Sequence, residues 1–193
     1  MCGAVSDDFL RAAVCGGVDI VQLRMKDAPD ATILAAAERF ARHDVLLMIN
    51  DRPDLAVAAD ADGVHVGQDD ISVAEARGLV GPDRLVGLST HTPEEVDGAA
   101  AADYIGVGPV YSTPTKPGRP AVGLELVRYA SEHASVPYFA IGGVKADNLP
   151  AVHAAGAERV AVVRALTEAD DPESVARTLR AGVTARKVPL GAA

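Results

Sequence analysis

Between residues 108 and 119 the chain reads Gly-Pro-Val-Tyr-Ser-Thr-Pro-Thr-Lys-Pro-Gly-Arg, directly after the apolar run Tyr104-Ile105-Gly106-Val107. A bare turn accounts for the glycines and prolines, but not for Thr113, Thr115 and Lys116 together. Hydroxyls and cations gathered where a strand ends suit the oxygens of a phosphorylated ligand. Upstream, Gln22-Leu23-Arg24-Met25-Lys26 alternates polar with apolar residues, and a period of two places Gln22, Arg24 and Lys26 on one side. Three donors on one strand face are costly in an apolar core without acidic partners. A polyanion explains all three at once; a solvated edge strand, or an arginine paired to an aspartate, is the blander reading.

Two carboxylates stand at comparable places. Asn50-Asp51 closes one strand-like run, and Asp70 closes Gly63-Val64-His65-Val66-Gly67-Gln68-Asp69-Asp70. Two carboxylates with room for water and phosphate oxygens are what Mg²⁺ requires. Capping of the helices that follow explains either one alone, but both at adjacent strand ends, opposite a set of cations, favour a metal. Asp69 is expected to turn away. Ser89 ends the next run and can donate to a ligand or to its own turn. His91 is a candidate base for which the sequence names no acidic orienter, and His65, among apolar neighbours, reads as a satisfied core histidine. No nucleophile–base pair emerges, so covalent acyl-type chemistry is not supported. Ile141-Gly142-Gly143 and Val162-Val163-Arg164 end the last two runs. Consecutive glycines admit phosphate oxygens to backbone amides, with a helix dipole behind them.

The elements that must hold these residues in place are legible as a repeat. Seven β-branched runs (residues 20–23, 46–49, 64–66, 85–88, 104–107, 138–141 and 160–163) alternate with helix-like segments at 31–41, 72–79, 93–101, 124–133, 148–155 and 172–179. The runs are continuously apolar, as parallel strands covered on both faces are. Asp30, Thr92 and Asp171 are expected N-caps. Polar residues follow nearly every run. An open doubly wound sheet concentrates its site at one switch point, whereas a barrel converges all its strand ends on one mouth. The expected fold is therefore α/β, a TIM (β/α)₈ barrel with a shortened or missing first strand, since only residues 2–6 precede the helix-like 9–15. One domain over 1–193 is expected, with an atypical element at 1–15 and a flexible tail at 183–193.

With 27 acidic against 18 basic residues the net charge is −9, which disfavours nucleic acid and anionic membrane as partners. No apolar run approaches the roughly 20 residues of a membrane span. Cys2 and Cys15 are the only cysteines and have no metal-ligand spacing, so reduced thiols in a cytoplasmic setting are expected. A homo-oligomer is left open.

Taken in order, Gln22-x-Arg24-x-Lys26, Asn50-Asp51, His65-x-Gly67-Gln68-x-Asp70, Ser89, Gly108-Pro109, Thr113-x-Thr115-Lys116 and Ile141-Gly142-Gly143 resemble the thiamine-phosphate synthase family from about Gly16 to Leu179. The resemblance implies condensation of a hydroxymethylpyrimidine diphosphate with a thiazole phosphate, or its carboxylated form, releasing pyrophosphate. It assigns Gln22, Arg24, Lys26, Asn50, Ser89 and Lys116 to the pyrimidine diphosphate, with Arg24, Lys26, Ser89 and Lys116 as the catalytic set. Asp51 and Asp70 would hold Mg²⁺. Thr113, Pro114 and Thr115 would contact the thiazole phosphate, and Gly143 with the Val163-Arg164 backbone would complete its phosphate site. Many relatives carry serine where Arg164 stands; this arginine would either strengthen phosphate binding or pair with an acid such as Glu168. A thiazole tautomerase-like paralogue is the near alternative, although such proteins typically carry histidine in place of Pro109. A non-catalytic phosphate-binding barrel is the distant one.

Overall fold

Valine- and isoleucine-rich runs flanked by glycines and aspartates form strands here, and the alanine-rich segments between them form helices. The computed structural model describes residues 5–113 and 120–183. In chain order the elements are α1 (Asp7–Cys15), β1 (Ile20–Leu23), α2 (Asp30–Phe40), β2 (Leu46–Asn50), α3 (Pro53–Ala58), β3 (Gly63–Val66), α4 (Val73–Val80), β4 (Leu85–Thr90), α5 (Pro93–Asp97) and β5 (Tyr104–Val107). There follow α6 (Gly123–His133), β6 (Tyr138–Ile141), α7 (Leu149–Ala154), β7 (Val160–Ala161), α8 (Arg164–Thr167) and α9 (Pro172–Ala181).

The strands make one seven-stranded parallel sheet in the order β1 to β7. Each strand pairs with its successor, as right-handed βαβ crossovers in a barrel-type sheet require. Side chains alternate between two faces. Outward, Val21, Leu23, Leu47, Ile49, Val64 and Val86 pack with Leu10, Ile33, Phe40 and Leu55. Ile105, Val107 and Ala140 pack with Leu126, Val127 and Val152. Inward, Met48, Leu85 and Tyr104 form an apolar floor with Ile20, Leu46 and Phe139. No helix among the described residues is long and apolar enough to cross a membrane.

Several expectations are corrected in detail. Residues 2–4 lie outside the described residues; of the expected first strand, Ser6 instead caps α1, accepting from the Phe9 N–H at 3.2 Å. Among the described residues no strand precedes α1. The last strand is only Val160–Ala161, because Val163 already begins α8 as its cap. Asp30 is not a cap. The cap of α2 is Pro29, and the Asp30 carboxylate instead takes both Arg52 guanidinium nitrogens, at 2.8 and 3.0 Å. Thr92 and Asp171 do cap, accepting from the N–H groups of Glu95 and Ser174. Pro114, Thr115, Lys116, Cys2 and residues 184–193 of the expected tail lie outside the described residues.

Candidate active site

Above the apolar floor the inward face becomes polar toward the carboxyl ends of the strands. Gln22, Asn50, His65 and Ser89 share its parity, and the register sets Asn50 beside His65, His65 beside Gly87, and Ser89 beside Gly106. These residues line a cavity of about 480 Å³ together with Ser112, Thr113, Gly143, Val163 and Arg164. That volume suits a small-molecule ligand. Seven of the residues singled out in the sequence are thereby brought together: Gln22, Asn50, Ser89, Thr113, Gly143, Val163 and Arg164. Gln22 Oε1 is buried there with no hydrogen-bond partner among the described residues. Such an acceptor calls for a donor from a ligand.

Arg24, Lys26, Asp51 and Asp70 are not among the residues that line this cavity; they follow the carboxyl ends of β1, β2 and β3. The period-two reading of Gln22, Arg24 and Lys26 holds only in part, because β1 ends at Leu23 and the two cations lie beyond it. No carboxylate among the described residues pairs with Arg24, whereas Lys26 Nζ lies 3.2 Å from Asp51 Oδ2. Asp51 occupies the left-handed backbone region, with φ of 62°, a conformation that aspartate and asparagine tolerate better than most residues. Its N–H donates to the His65 carbonyl at 2.9 Å, tying the end of β2 to β3.

Neither acid is a helix cap. The chain enters α3 through Arg52, which makes no side-chain cap bond. In α4 the cap is Ser72, reciprocated by Glu75. Asp70 does perform a local task, since its Oδ2 accepts from the Gly67 N–H at 2.8 Å. Burial raises the Asp51 carboxyl above its ordinary value; Lys26 opposes this, and the neighbouring Asp70 carboxylate reinforces it. A carboxylate whose ionisation a neighbouring carboxylate hinders marks a ready position for a cation. No group of three or more ligating side chains occurs among the described residues. A metal there would therefore draw its remaining ligands from water and substrate.

The loop after β5 is seated on the glycine turn after β6. Val110 N–H donates to the Ile141 carbonyl at 2.8 Å, and Tyr111 N–H to the Gly142 carbonyl at 2.9 Å. Gly142 and Gly143 have φ of 98° and 68°. A Cβ on Gly142 would lie 2.5 Å from Pro109 Cα, and one on Gly143 would lie 2.7 Å from Tyr111 Cβ. Asn148 holds the turn from behind, donating to the Gly143 carbonyl at 2.9 Å. The double glycine thus does more than expose amides: it fixes where Ser112 and Thr113 begin. His91 Nδ1 bonds the Gly108 carbonyl at the same junction.

Arg164 takes the second of its two expected courses. Its Nε donates to Glu168 Oε1 at 2.6 Å across one helical turn, with about half the side chain exposed (49%). Arg164→Ala is therefore expected to leave turnover within about twofold, as an exposed pair of this kind is weak. A tenfold loss of affinity for a phosphorylated ligand would show that the guanidinium reaches it.

Sequence reasoning missed one contact. His65 is buried and satisfied, as expected, but its partners are informative. Nδ1 lies 3.0 Å from the Tyr104 hydroxyl and Nε2 lies 3.0 Å from Ser89 Oγ. A serine–histidine contact is thus present where the sequence alone offers no nucleophile–base pair. Gly87 leaves the room for it, since a Cβ there would sit 2.2 Å from Tyr104 Cζ and 2.6 Å from His65 Nδ1. The residues are 24 and 39 apart in sequence; only the strand register could have signalled the meeting.

Strand ends converging on one cavity are how barrel-type α/β enzymes build their sites, and this chain is of that class. Residues 2–166 match the TMP-TENI family, thiamine monophosphate synthase. The chain belongs to that family. It is 52% identical over 187 residues to a thiamine-phosphate synthase of Saccharopolyspora erythraea, covering 90% of this chain and 84% of that one. Against a thiamine-phosphate synthase of Gloeobacter violaceus it is 53% identical over 171 residues, or 86% of this chain. It spans only 50% of that longer relative. A solved structure, thiamine phosphate pyrophosphorylase from Pyrococcus furiosus, superimposes with a TM-score of 0.84 at 32% identity, covering 92% of this chain and 89% of that one. The tautomerase-like and non-catalytic alternatives gain no support from these relatives.

Proposed function

We propose that this chain condenses 4-amino-2-methyl-5-hydroxymethylpyrimidine diphosphate with 4-methyl-5-(2-phosphoethyl)thiazole, giving thiamine phosphate and pyrophosphate. With the carboxylated thiazole, CO₂ leaves as well. The observation that carries this reading is the spatial one. Gln22, Asn50 and Ser89, from β1, β2 and β4, line one ligand-sized cavity together with Thr113 and Gly143, and the neighbouring carboxylates Asp51 and Asp70 follow β2 and β3.

The pyrimidine C–O bond breaks and its electron pair departs with pyrophosphate. The pyrimidine amino group donates electrons to the resulting methylene cation, and the thiazole nitrogen then attacks it. Breaking that bond is easy only if the leaving charge is neutralised where it develops. Arg24 and Lys26 at the end of β1 do this from one side, with Lys116 as the third cation. Asp51 and Asp70 fit Mg²⁺, which when bound would supply the remaining charge neutralisation to the diphosphate. Gln22 Oε1 is placed to accept from the pyrimidine amino group, and Asn50 and Ser89 bind beside it. Thr113, Pro114, Thr115, Gly143 and the Val163-Arg164 backbone take the thiazole phosphate. Since no protein nucleophile is needed, catalysis consists of positioning and electrostatics. The acidic surface and two thiols fit a cytoplasmic enzyme of small molecules, with nucleic acid and membrane as no part of its work.

Thiazole phosphate offered alone should be returned unchanged, and thiamine phosphate should form only when the pyrimidine diphosphate is added with Mg²⁺. Isomerised thiazole in the first incubation would establish a tautomerase; no product in either would leave a binding protein. Within the synthase reading, Lys116→Ala is expected to slow single-turnover bond breaking about a hundredfold. An unchanged single-turnover rate would remove Lys116 from the catalytic set.

A further inference from the structure

Ser89 and His65 are both nearly buried, at 8% and 9% exposure, and both line the cavity. Their 3.0 Å contact admits two opposite arrangements. If Nε2 is bare, it accepts the serine proton, and Ser89 becomes a candidate nucleophile or an acceptor toward the ligand. If Nε2 carries the hydrogen, Ser89 accepts it and its own O–H points outward as a donor. Tyr104 decides between them. Among the described residues its buried hydroxyl meets a single hydrogen-bonding atom, His65 Nδ1, at 3.0 Å. Burial, with Asp103 nearby, pushes this phenol above its ordinary value, so it holds its proton. A buried O–H that donates to nothing is costly. Donation to Nδ1 leaves the ring hydrogen of neutral His65 on Nε2. The edge-on ring of Phe139, with centroid 5.5 Å from that of Tyr104, packs the phenol from behind.

We infer that His65 is a positioning residue, held by Tyr104 in the Nε2–H tautomer so that it donates to Ser89 Oγ and turns the serine proton toward the pyrimidine diphosphate. This deepens the proposed function and rests on it for the identity of the ligand. Ser89 then serves as a fixed hydrogen-bond donor rather than a nucleophile, and this explains how a serine–histidine contact coexists with chemistry that needs no covalent intermediate.

Two measurements test it. In ¹⁵N spectra of histidine-labelled protein, with His65 identified by the signals lost in His65→Gln, Nε2 should be pyrrole-like and Nδ1 pyridine-like. A hydrogen on Nδ1, or a doubly protonated ring, overturns the assignment. In kinetics, His65→Leu should lower kcat about tenfold or more. It should have no further effect when added to Ser89→Ala, whereas His65→Gln, whose amide can donate to the same hydroxyl, should recover most of the rate. An equal fall in both backgrounds would mark His65 as merely structural and defeat the inference. If the wild type forms no thiamine phosphate, the functional reading fails, but the tautomer result is still decided on the protein itself.

Discussion

Asp51→Asn is expected to lower turnover about a hundredfold or more at saturating Mg²⁺, while leaving thiazole phosphate affinity within about twofold. Asparagine is the informative replacement because φ at this position is 62°, and asparagine accepts the left-handed region. Alanine there adds strain of about 1–2 kcal/mol, confounding a catalytic loss with an unfolding one. The same substitution carries an opposite signature in stability. Burial, reinforced by Asp70, raises the Asp51 carboxyl above its ordinary 3.8, so the fold favours the protonated form. That contribution is fully present below the ordinary value and is lost as pH rises through the raised one. At neutral pH the ionised side chain therefore weighs against the fold, and Asp51→Asn should raise the melting temperature in metal-free buffer. A variant both less stable and fully active would remove Asp51 from the proposed metal site.

The second large effect is expected at Gly142. An alanine Cβ would lie 2.5 Å from both Pro109 Cα and Pro109 Cβ, on a backbone with φ of 98°. Neither the strand-end turn nor the proline can move without breaking the bonds from Val110 to Ile141 and from Tyr111 to Gly142. Gly142→Ala should therefore unseat the loop that begins at Ser112. Weakening of thiazole phosphate binding by about a hundredfold is expected, together with about 2–3 kcal/mol of destabilisation. Pyrimidine diphosphate binding, built on β1 to β4, should change by less than about threefold. Isothermal titration with each substrate separates the two, and equal losses for both would show that the loop does not divide the site as proposed.

Much of this was legible in the residues because parallel strands buried on both faces announce themselves as continuous apolar runs, and a polar residue directly after such a run can only lie at a strand end. Asn50, Asp51 and Ser89 stand out in that way, and Gln22 by its period of two with Arg24 and Lys26. Contacts that depend on register were not legible. Whether His65 meets Ser89 depends on which residues of β3 and β4 stand side by side, and a slip of one would have turned the imidazole outward. The glycine turn was recognised for its amides, but its seating of Pro109 and Tyr111 is a property of two loops far apart in sequence. Asp30 misled because a helix-start aspartate is usually a cap, whereas here Arg52 claims it across 22 residues. Arg164 had two plausible courses, and the one taken follows from Glu168 lying one turn away on the same helix.

The most direct test of the account is a single turnover with enzyme in excess over the pyrimidine diphosphate, following pyrophosphate and thiamine phosphate together, with Mg²⁺ and after its chelation. The two products should appear in equal amounts with Mg²⁺, and both should be suppressed about a hundredfold or more without it. Pyrophosphate release at an undiminished rate after chelation, or release without thiamine phosphate, would contradict it.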